Sequence, residues 1–225
     1  MFQRVFATLL VFTLVFGQVP VRAAGVTPLG VVTQATRANI ASANVSAGAT
    51  VYDGESLMTA SDGLLRVRVG AAQFYLASQT SLNLQSAPGG ALVKLAAGTI
   101  VFSSAKAAAM DVEVAQAHIR PASDQPTVAQ IAVAGPKAIN VRAQRGSVQF
   151  SYRGETQLVQ EGSAYRFVLD PSAEELSVSN ATSALPGKTR GGGHENKAFL
   201  YFIIGGIAIV TFIAVDEALE SPSKP

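Results

Sequence analysis

Short runs in which apolar and polar residues alternate fill the middle of the chain, residues 29–170. The clearest is GLLRVRVG, where Leu65, Val67 and Val69 alternate with two arginines. A period of two is typical of a half-buried β-strand. Glycines separate the runs, and few stretches show the 3.6-residue period of a helix. The pattern therefore predicts an all-β domain over residues 29–170.

One ten-residue phrase occurs twice within this domain. VKLAAGTIVF covers residues 93–102, and VRAQRGSVQF covers residues 141–150. In each copy we predict that one strand ends, the glycine makes a turn, and a second strand ends at a buried phenylalanine, Phe102 or Phe150. The repetition indicates a compact, quasi-repetitive β-fold, arranged either as a β-sandwich or like a β-solenoid.

The N-terminus has the layout of a secretory signal peptide. Arg4 is followed by an apolar run over residues 5–16 that contains no charge, and small residues then precede Gly25. This order of segments predicts a signal peptide over residues 1–24, cleaved after Ala23 or Ala24. The alternative left open by the sequence is an uncleaved N-terminal anchor.

A second apolar segment lies near the C-terminus. From Ala198 to Val215 the chain has 18 residues without a charge, which is long enough for a transmembrane helix. Gly205 and Gly206 fit this prediction because glycine is common in membrane helices. We predict a flexible linker over residues 171–197 and a short tail over residues 216–225. The alternative is a buried hairpin of the β-domain.

Two signals disagree about orientation. Basic residues precede the apolar segment and acidic residues follow it, so the positive-inside rule alone would place the linker in the cytoplasm. A cleaved signal peptide would instead export the β-domain. We give precedence to the signal peptide, and predict a single-pass protein of the cell inner membrane with its β-domain in the periplasm and its tail inside.

Composition narrows the classes of function. The 17 Lys and Arg residues against 15 Asp and Glu give a net charge of +2. No basic cluster tracks a phosphate backbone, so we expect no nucleic-acid partner. The chain has no Cys, and therefore no disulfide and no thiolate chemistry. With 225 residues it can bury one modest core.

Residues able to carry catalysis are few and scattered. His118 alternates with apolar residues and is interpreted as a strand residue, and carboxylates such as Asp53 and Glu55 flank turns. No nucleophile elbow or phosphate loop occurs, so we expect no enzyme, no metal and no cofactor. Arginines at positions 66, 68, 142 and 145 share an exposed face in the prediction, serving either solubility or partner binding.

The order of short motifs between residues 29 and 170 resembles the FecR domain. The family pattern Val-x-x-Gly-x-x-Leu-x-Thr matches VYDGESLMT, Leu-x-x-Gly-x-Val/Ile-x-Phe matches LAAGTIVF, and a terminal Val-x-x-Gly matches VQEG. The resemblance implies that nine motif residues have structural roles: Val51, Gly54, Leu57, Thr59, Gly98, Phe102, Gly146, Phe150 and Gly162.

Two departures from the family pattern bear on function. The family's Gly-Thr-x-Phe before the last strand pair is absent from TVAQIAVAGPKAINV, and a signal peptide stands where iron-uptake regulators carry a segment that grips a sigma factor. The resemblance implies a non-catalytic binding or sensing module in the periplasm, with an envelope protein or a glycan as partner. The alternatives are a transmembrane regulator of a sigma factor acting through a partner, and an envelope hydrolase.

Overall fold

The computed structural model describes residues 27–171 and 198–203, and nearly all of them lie in strands. The all-β prediction is confirmed for this part of the chain. The strands are β1 Pro28–Ile40, β2 Ala43–Asn44, β3 Thr50–Tyr52, β4 Ser56–Val69, β5 Ala72–Leu76, β6 Ser81–Ala87, β7 Gly90–Ala97, β8 Thr99–Ser104, β9 Met110–Val114, β10 Ala117–Pro121, β11 Thr127–Gly135, β12 Ala138–Arg145, β13 Val148–Tyr152, β14 Glu155–Val159, β15 Ala164–Leu169 and β16 Phe199–Ile203. A 3-10 turn, Ala107–Ala109, joins β8 to β9.

These strands form one curled sheet in the order β14-β13-β10-β9-β7-β6-β4-β5-β8-β11-β12-β15-β16. Neighbours are antiparallel except β7 and β9, and β1 runs beside β4. The start of the long strand β4 pairs with β6, and its end, Leu65–Val69, pairs with β5. We call β6, β7, β9, β10, β13 and β14 the first wing, and the end of β4, Leu65–Val69, together with β5, β8, β11, β12, β15 and β16 the second wing.

The two wings face each other across one core. Phe150 of the first wing stacks on Phe167 of the second, with ring centroids 3.7 Å apart and planes 3° from parallel. Phe199 of β16 meets Phe150 edge-on at 5.0 Å. Burying a side chain of this size contributes about 1.5–3 kcal/mol. The arrangement is a half-barrel made from a single sheet, which differs from the separate sheets of a sandwich and from stacked solenoid coils.

The repeated phrase marks two crossings between the wings. In the first copy the chain leaves β7 of the first wing at Gly98 and enters β8 of the second wing. In the second copy it leaves β12 of the second wing at Gly146 and enters β13 of the first wing. The final residues, Phe102 and Phe150, are both fully buried. Each copy therefore closes the core by moving the chain from one wing to the other, in opposite directions.

The start of the predicted transmembrane segment has a different structure. The helix predicted from Ala198 is not what the structure shows there, because Phe199–Ile203 form strand β16 against the outer edge of β15. The stretch FLYFI is rich in aromatic residues, which favour strands, and Phe199 faces the core with only 3 % of its surface exposed. Packing of this ring between the wings accounts for the strand.

Several predicted segments lie outside the described residues. These are the signal peptide over residues 1–24, nearly all of the linker over 171–197, the tail, and Gly205, Gly206 and Val215 of the apolar segment. A membrane helix beyond residue 203 therefore stays a prediction. Within residues 27–171 and 198–203, no helix has the length and apolar character needed to cross a bilayer.

The two ends of the predicted linker lie side by side. The Asp170 amide donates a hydrogen bond of 2.9 Å to the Ala198 carbonyl, and the Ala198 amide donates to Glu155 Oε1 at 3.2 Å. Asp170 also accepts a 2.9 Å hydrogen bond from the Tyr152 hydroxyl and pairs with Arg153 at 2.5 Å. We call these five residues the clasp. The apolar segment thus begins on the β-domain itself, so the predicted linker does not hold the start of this segment away from the β-domain.

Candidate binding face

The outward surface of the second wing gathers arginines. In β4 the inward residues Leu65, Val67 and Val69 are buried, which turns Arg66 and Arg68 outward. The same alternation turns Arg142 outward on β12 and Arg166 outward on β15. Arg145 lies opposite Val128 at a bulge near the end of β12 and is exposed. We call Arg66, Arg68, Arg142, Arg145 and Arg166, with the outward residues between them, the arginine face.

The register of the sheet aligns the centre of this face. Arg66 is paired with Tyr75, Tyr75 with Val101, Val101 with Gln130, and Gln130 with Arg142. Adjacent strands are about 4.8 Å apart, so this row crosses five strands over about 19 Å. Such a row offers an extended ligand several contacts in a line.

Four arginines of this face have no carboxylate beside them. Among the described residues, no ion pair joins Arg66, Arg68, Arg145 or Arg166 to an acidic side chain. No Asp or Glu occurs in β5, β8, β11, β12 or β15, or in the end of β4 that pairs with β5. Cations gathered without counter-charge create a positive potential that favours anionic partners.

The outer surface of the first wing has mixed charge. There Arg120 donates to Asp111 at 2.6 Å, and the same carboxylate lies 3.1 Å from His118 Nδ1. Lys94 lies 3.8 Å from Glu113. The bond to Asp111 raises the pKa of Arg120. The basic side chains of this surface are paired with its own carboxylates, so the two wings differ in the charge of the partners that they can attract.

Polar atoms without partners lie at the centre of the arginine face. Gln130 is only 8 % exposed, and its Oε1 is buried without a hydrogen-bond partner among the described residues. Within the same ranges, Asn140 Oδ1 and Arg66 Nε are also buried without a partner. Burial raises the pKa of Tyr75, with the charge of Arg66 opposing that change. Since a buried polar atom without a partner is costly, these groups are candidates for contact with a ligand.

A second concave region lies where β1 and β4 bulge. It is an open groove of about 500 Å³, lined by residues that include Arg37, Met58, Thr59 and Gln79. Two of its polar side chains are already engaged: Arg37 forms an ion pair with Asp62, and the Thr59 hydroxyl donates to the Ala77 carbonyl at 2.5 Å. The groove is therefore a weaker candidate than the arginine face.

The motif residues named by the family resemblance lie away from the arginine face. The structure places Val51, Leu57, Phe102 and Phe150 in the core, Thr59 in a buried hydrogen-bond network, and Gly54, Gly98, Gly146 and Gly162 at left-handed turns. These positions stabilise the fold.

The sequence prediction of a shared arginine face is matched by the placement of residues 66, 68, 142 and 145, but it missed three members. Arg166 could have been found from the alternation of AYRFVL, where Tyr165 and Phe167 are inward. The sequence gives no comparable indication that Tyr75 and Gln130 belong to this face. For Gln130, the apolar run TVAQIAV shows an amide among apolar residues, but it does not show that the amide oxygen lacks a hydrogen-bond partner among the described residues.

His118 lies in β10 and contacts Asp111, in keeping with its interpretation as a strand residue. In the described ranges, no group of three or more His, Cys, Asp or Glu side chains is placed to hold a metal ion.

Comparison with known proteins finds a distant structural similarity. No protein-family model matches the sequence, and no curated protein matches it. The crystal structure of a putative anti-sigma factor from Parabacteroides distasonis is similar at 12% identity with a TM-score of 0.42, over 49% of this chain and 53% of that one. A similarity this low transfers neither function nor topology to the present chain.

Proposed function

We propose that the chain is a non-catalytic FecR-domain protein of the bacterial cell envelope. A signal peptide exports the β-domain, the apolar segment of residues 198–215 anchors it in the inner membrane, and the domain acts in the periplasm as a binding or sensing module. A full span requires β16 to leave the edge of β15, because residues 204–215 alone would reach about 18 Å as a helix, less than a hydrocarbon core of about 30 Å. The arginine face is its binding surface, and an anionic envelope component is its partner. The order of FecR-like motifs and the all-β fold support the class of protein.

The observation that carries this proposal is the contrast between the outer surfaces of the two wings. On the first wing Lys94 and Arg120 each have a carboxylate within 4 Å, whereas Arg68, Arg145 and Arg166 on the second wing have none among the described residues. Arginines needed only for solubility would be interspersed with acidic residues, as on the first wing. Segregated cations instead steer an anionic partner to one surface.

The clasp adds an orientation to this proposal. Because Ala198 is hydrogen-bonded to Asp170 and β16 pairs with β15, the anchor starts at the edge of the second wing. The proposed module is therefore held close to the bilayer, with the arginine face next to its anchored edge. Binding at this face would act directly on the strand that leads into the membrane.

Binding is tested with the full chain in nanodiscs of uncharged phosphatidylcholine, using dextran sulfate as a generic polyanion. We expect salt-sensitive binding, because exposed charges are screened over about 8 Å at physiological ionic strength. Arg68→Gln with Arg166→Gln should weaken it at least about tenfold. The matched control, Lys94→Gln with Arg120→Gln, removes two cations from the first wing and should leave binding unchanged. Equal loss in both variants, or no binding at all, would refute the proposal.

Topology is tested separately by reporters fused after Pro225. A fluorescent protein that folds only in the cytoplasm should be bright there, and a phosphatase that requires the periplasm should be inactive. The opposite pair of results would show that the basic residues before the apolar segment decide the orientation, and that the β-domain lies in the cytoplasm.

A further inference from the structure

We infer that the anionic partner of the arginine face is an acidic polysaccharide, a linear glycan that carries carboxylates and free hydroxyls together. The inference rests on the proposed binding function and specifies the chemical class of its ligand. Three features of the face lead to it: exposed guanidinium groups, buried acceptors without donors among the described residues, and a sheet surface whose backbone is already paired.

The guanidinium groups require negative charge in the ligand. Arg68 and Arg166 are exposed, and each presents planar N–H donors that match a carboxylate in bidentate geometry. They lie on β4 and β15, near opposite sides of the second wing, so a compact anion could not reach both. A polymer with repeated anionic groups could engage them at the same time.

The buried acceptors require hydrogen-bond donors in the same ligand. In the part of the chain that the structure describes, no donor reaches Gln130 Oε1 or Asn140 Oδ1, and both lie on the arginine face, Asn140 being paired in register with Arg166. Lipid phosphates and side-chain carboxylates supply acceptors only, whereas sugar hydroxyls supply donors. Gln130 Oε1 is covered, so a ligand reaches it once the long neighbouring side chains turn toward the ligand's carboxylates.

The position of the face in the interior of the sheet favours a glycan over an acidic peptide. Peptides that bind sheets add a strand at an unpaired edge. Tyr75 and Gln130 lie instead on β5 and β11, whose backbones are hydrogen-bonded to neighbours on both sides. Recognition there must come from side chains alone. The half-buried Tyr75 ring, in the row between Arg66 and Gln130, offers an apolar surface against which a sugar ring can pack.

The test compares four probes by calorimetry on the full chain in phosphatidylcholine nanodiscs. Polygalacturonate carries carboxylates and hydroxyls, dextran has hydroxyls only, and polyglutamate is an acidic peptide polymer. Phosphatidylcholine vesicles that contain dicetyl phosphate present a lipid anion without hydroxyl groups. We expect polygalacturonate to bind at least about tenfold more tightly than each of the others, because it alone carries hydroxyl donors beside its anionic groups.

Two substitutions separate charge from hydroxyl recognition. Arg166→Gln should weaken every polyanion. Gln130→Met keeps the side-chain volume, removes the acceptor and should weaken polygalacturonate about threefold to tenfold, without changing polyglutamate. Gln149→Met on the first wing is the matched control and should change nothing. Thermal unfolding of each variant shows whether the fold is retained.

The outcomes distinguish this inference from the proposed function. If polyglutamate or the lipid vesicles bind as tightly as polygalacturonate, or if Gln130→Met binds like the wild type, the glycan inference is wrong. The proposed function still stands in that case when the arginine substitutions abolish dextran sulfate binding. If no polyanion binds, both are wrong.

Discussion

The two copies of the repeated phrase occupy equivalent places but differ in how tightly they are built. At Gly98, with φ +88°, an added Cβ would collide with Thr80 Oγ1 and lie 2.6 Å from the Gln79 carbonyl oxygen. At Gly146, with φ +66°, the nearest atom, Thr127 Oγ1, would be 2.8 Å away. The first crossing lies on the neighbouring crossing between β5 and β6, so the added atom would meet the backbone of Gln79 and Thr80 as well as a hydroxyl.

Of the two phenylalanines that end the copies, the second makes the more extensive contacts, whereas of the two glycines the first is the more crowded. Phe102 pairs in register with Phe74 and Ala129 inside the second wing. Phe150 stacks on Phe167 and meets Phe199 edge-on, so it joins the two wings and holds β16. The first copy thus has the more crowded of the two glycines, and the second copy has the phenylalanine with more aromatic partners. The two similar sequences give the chain the same path. The residues that pack around each copy determine how much each position contributes to the free energy of unfolding.

The largest effect is expected at the phenylalanines. Phe102→Ala and Phe150→Ala should each reduce the free energy of unfolding by about 3–5 kcal/mol, because a large buried ring leaves a cavity. Phe150→Ala should be the more severe by about 0.5–1.5 kcal/mol, the contribution of aromatic pairing. Denaturant unfolding of the full chain measures both. Phe202, which is 40 % exposed, is the control and should cost clearly less. Equal losses at all three positions would remove the contrast.

The glycines should show the reverse order. Gly98→Ala should cost about 2–5 kcal/mol, combining about 1–2 for the left-handed backbone with about 1–3 for overpacking. Gly146→Ala should cost less, since its nearest backbone contact, the Pro126 carbonyl oxygen, would be 3.0 Å from the added atom, against 2.5 Å for Thr80 Cα at Gly98. Gly162→Ala, with φ +75° and nothing within 4 Å of the added atom, isolates the backbone contribution. A Gly146 variant less stable than the Gly98 variant would contradict the comparison.

Local pattern predicted the strands, and long-range contacts explain what it missed. Alternation in GLLRVRVG is a property of neighbouring residues and correctly gave β4 and its outward arginines. The parallel pairing of β7 with β9 and the curl that brings Phe150 onto Phe167 depend on residues far apart in sequence. The apolar run from Ala198 is long enough to predict a helix. Its first residues form a strand because they pair with the edge of β15 that no other strand covers, a contact that the sequence alone does not reveal.

The hydroxyls beside the two crossings sharpen the same contrast on a smaller scale. Thr80 Oγ1 accepts from the Thr99 amide at 3.0 Å, whereas Thr127 Oγ1 bonds only to the nearby Gln125 carbonyl among described residues. Thr80→Val should cost about 1–3 kcal/mol because it leaves a backbone amide without an acceptor. Thr127→Val should cost about 0.5–1.5 kcal/mol. Thermal unfolding checks the order, and equal values would argue against a tighter first crossing.

The smallest expected effect concerns the residue two places after each phenylalanine. In the first copy this is Ser104, which donates locally to the Lys106 carbonyl at 2.7 Å. In the second copy it is Tyr152, whose hydroxyl donates to Asp170 in the clasp. Burial raises the pKa of Tyr152 above its usual value of 10.0, and the hydrogen bond to Asp170 adds to that change. The folded state therefore favours the protonated phenol.

A raised pKa in the folded state fixes the sign of the pH dependence. The stabilisation by Tyr152 should be fully present below about pH 10 and should be lost as the pH rises through the folded-state value. Tyr152→Phe should cost about 1 kcal/mol at about pH 8, the contribution of one hydrogen bond, and the difference from the wild type should shrink above about pH 10. Unfolding of both proteins from about pH 8 to about pH 11 measures this difference, and subtraction removes the titration of Tyr75 and Tyr201. A gap that stays constant or widens with pH would show that the tyrosine does not hold the clasp as a proton donor, and that packing of its ring alone joins β13 to the end of β15.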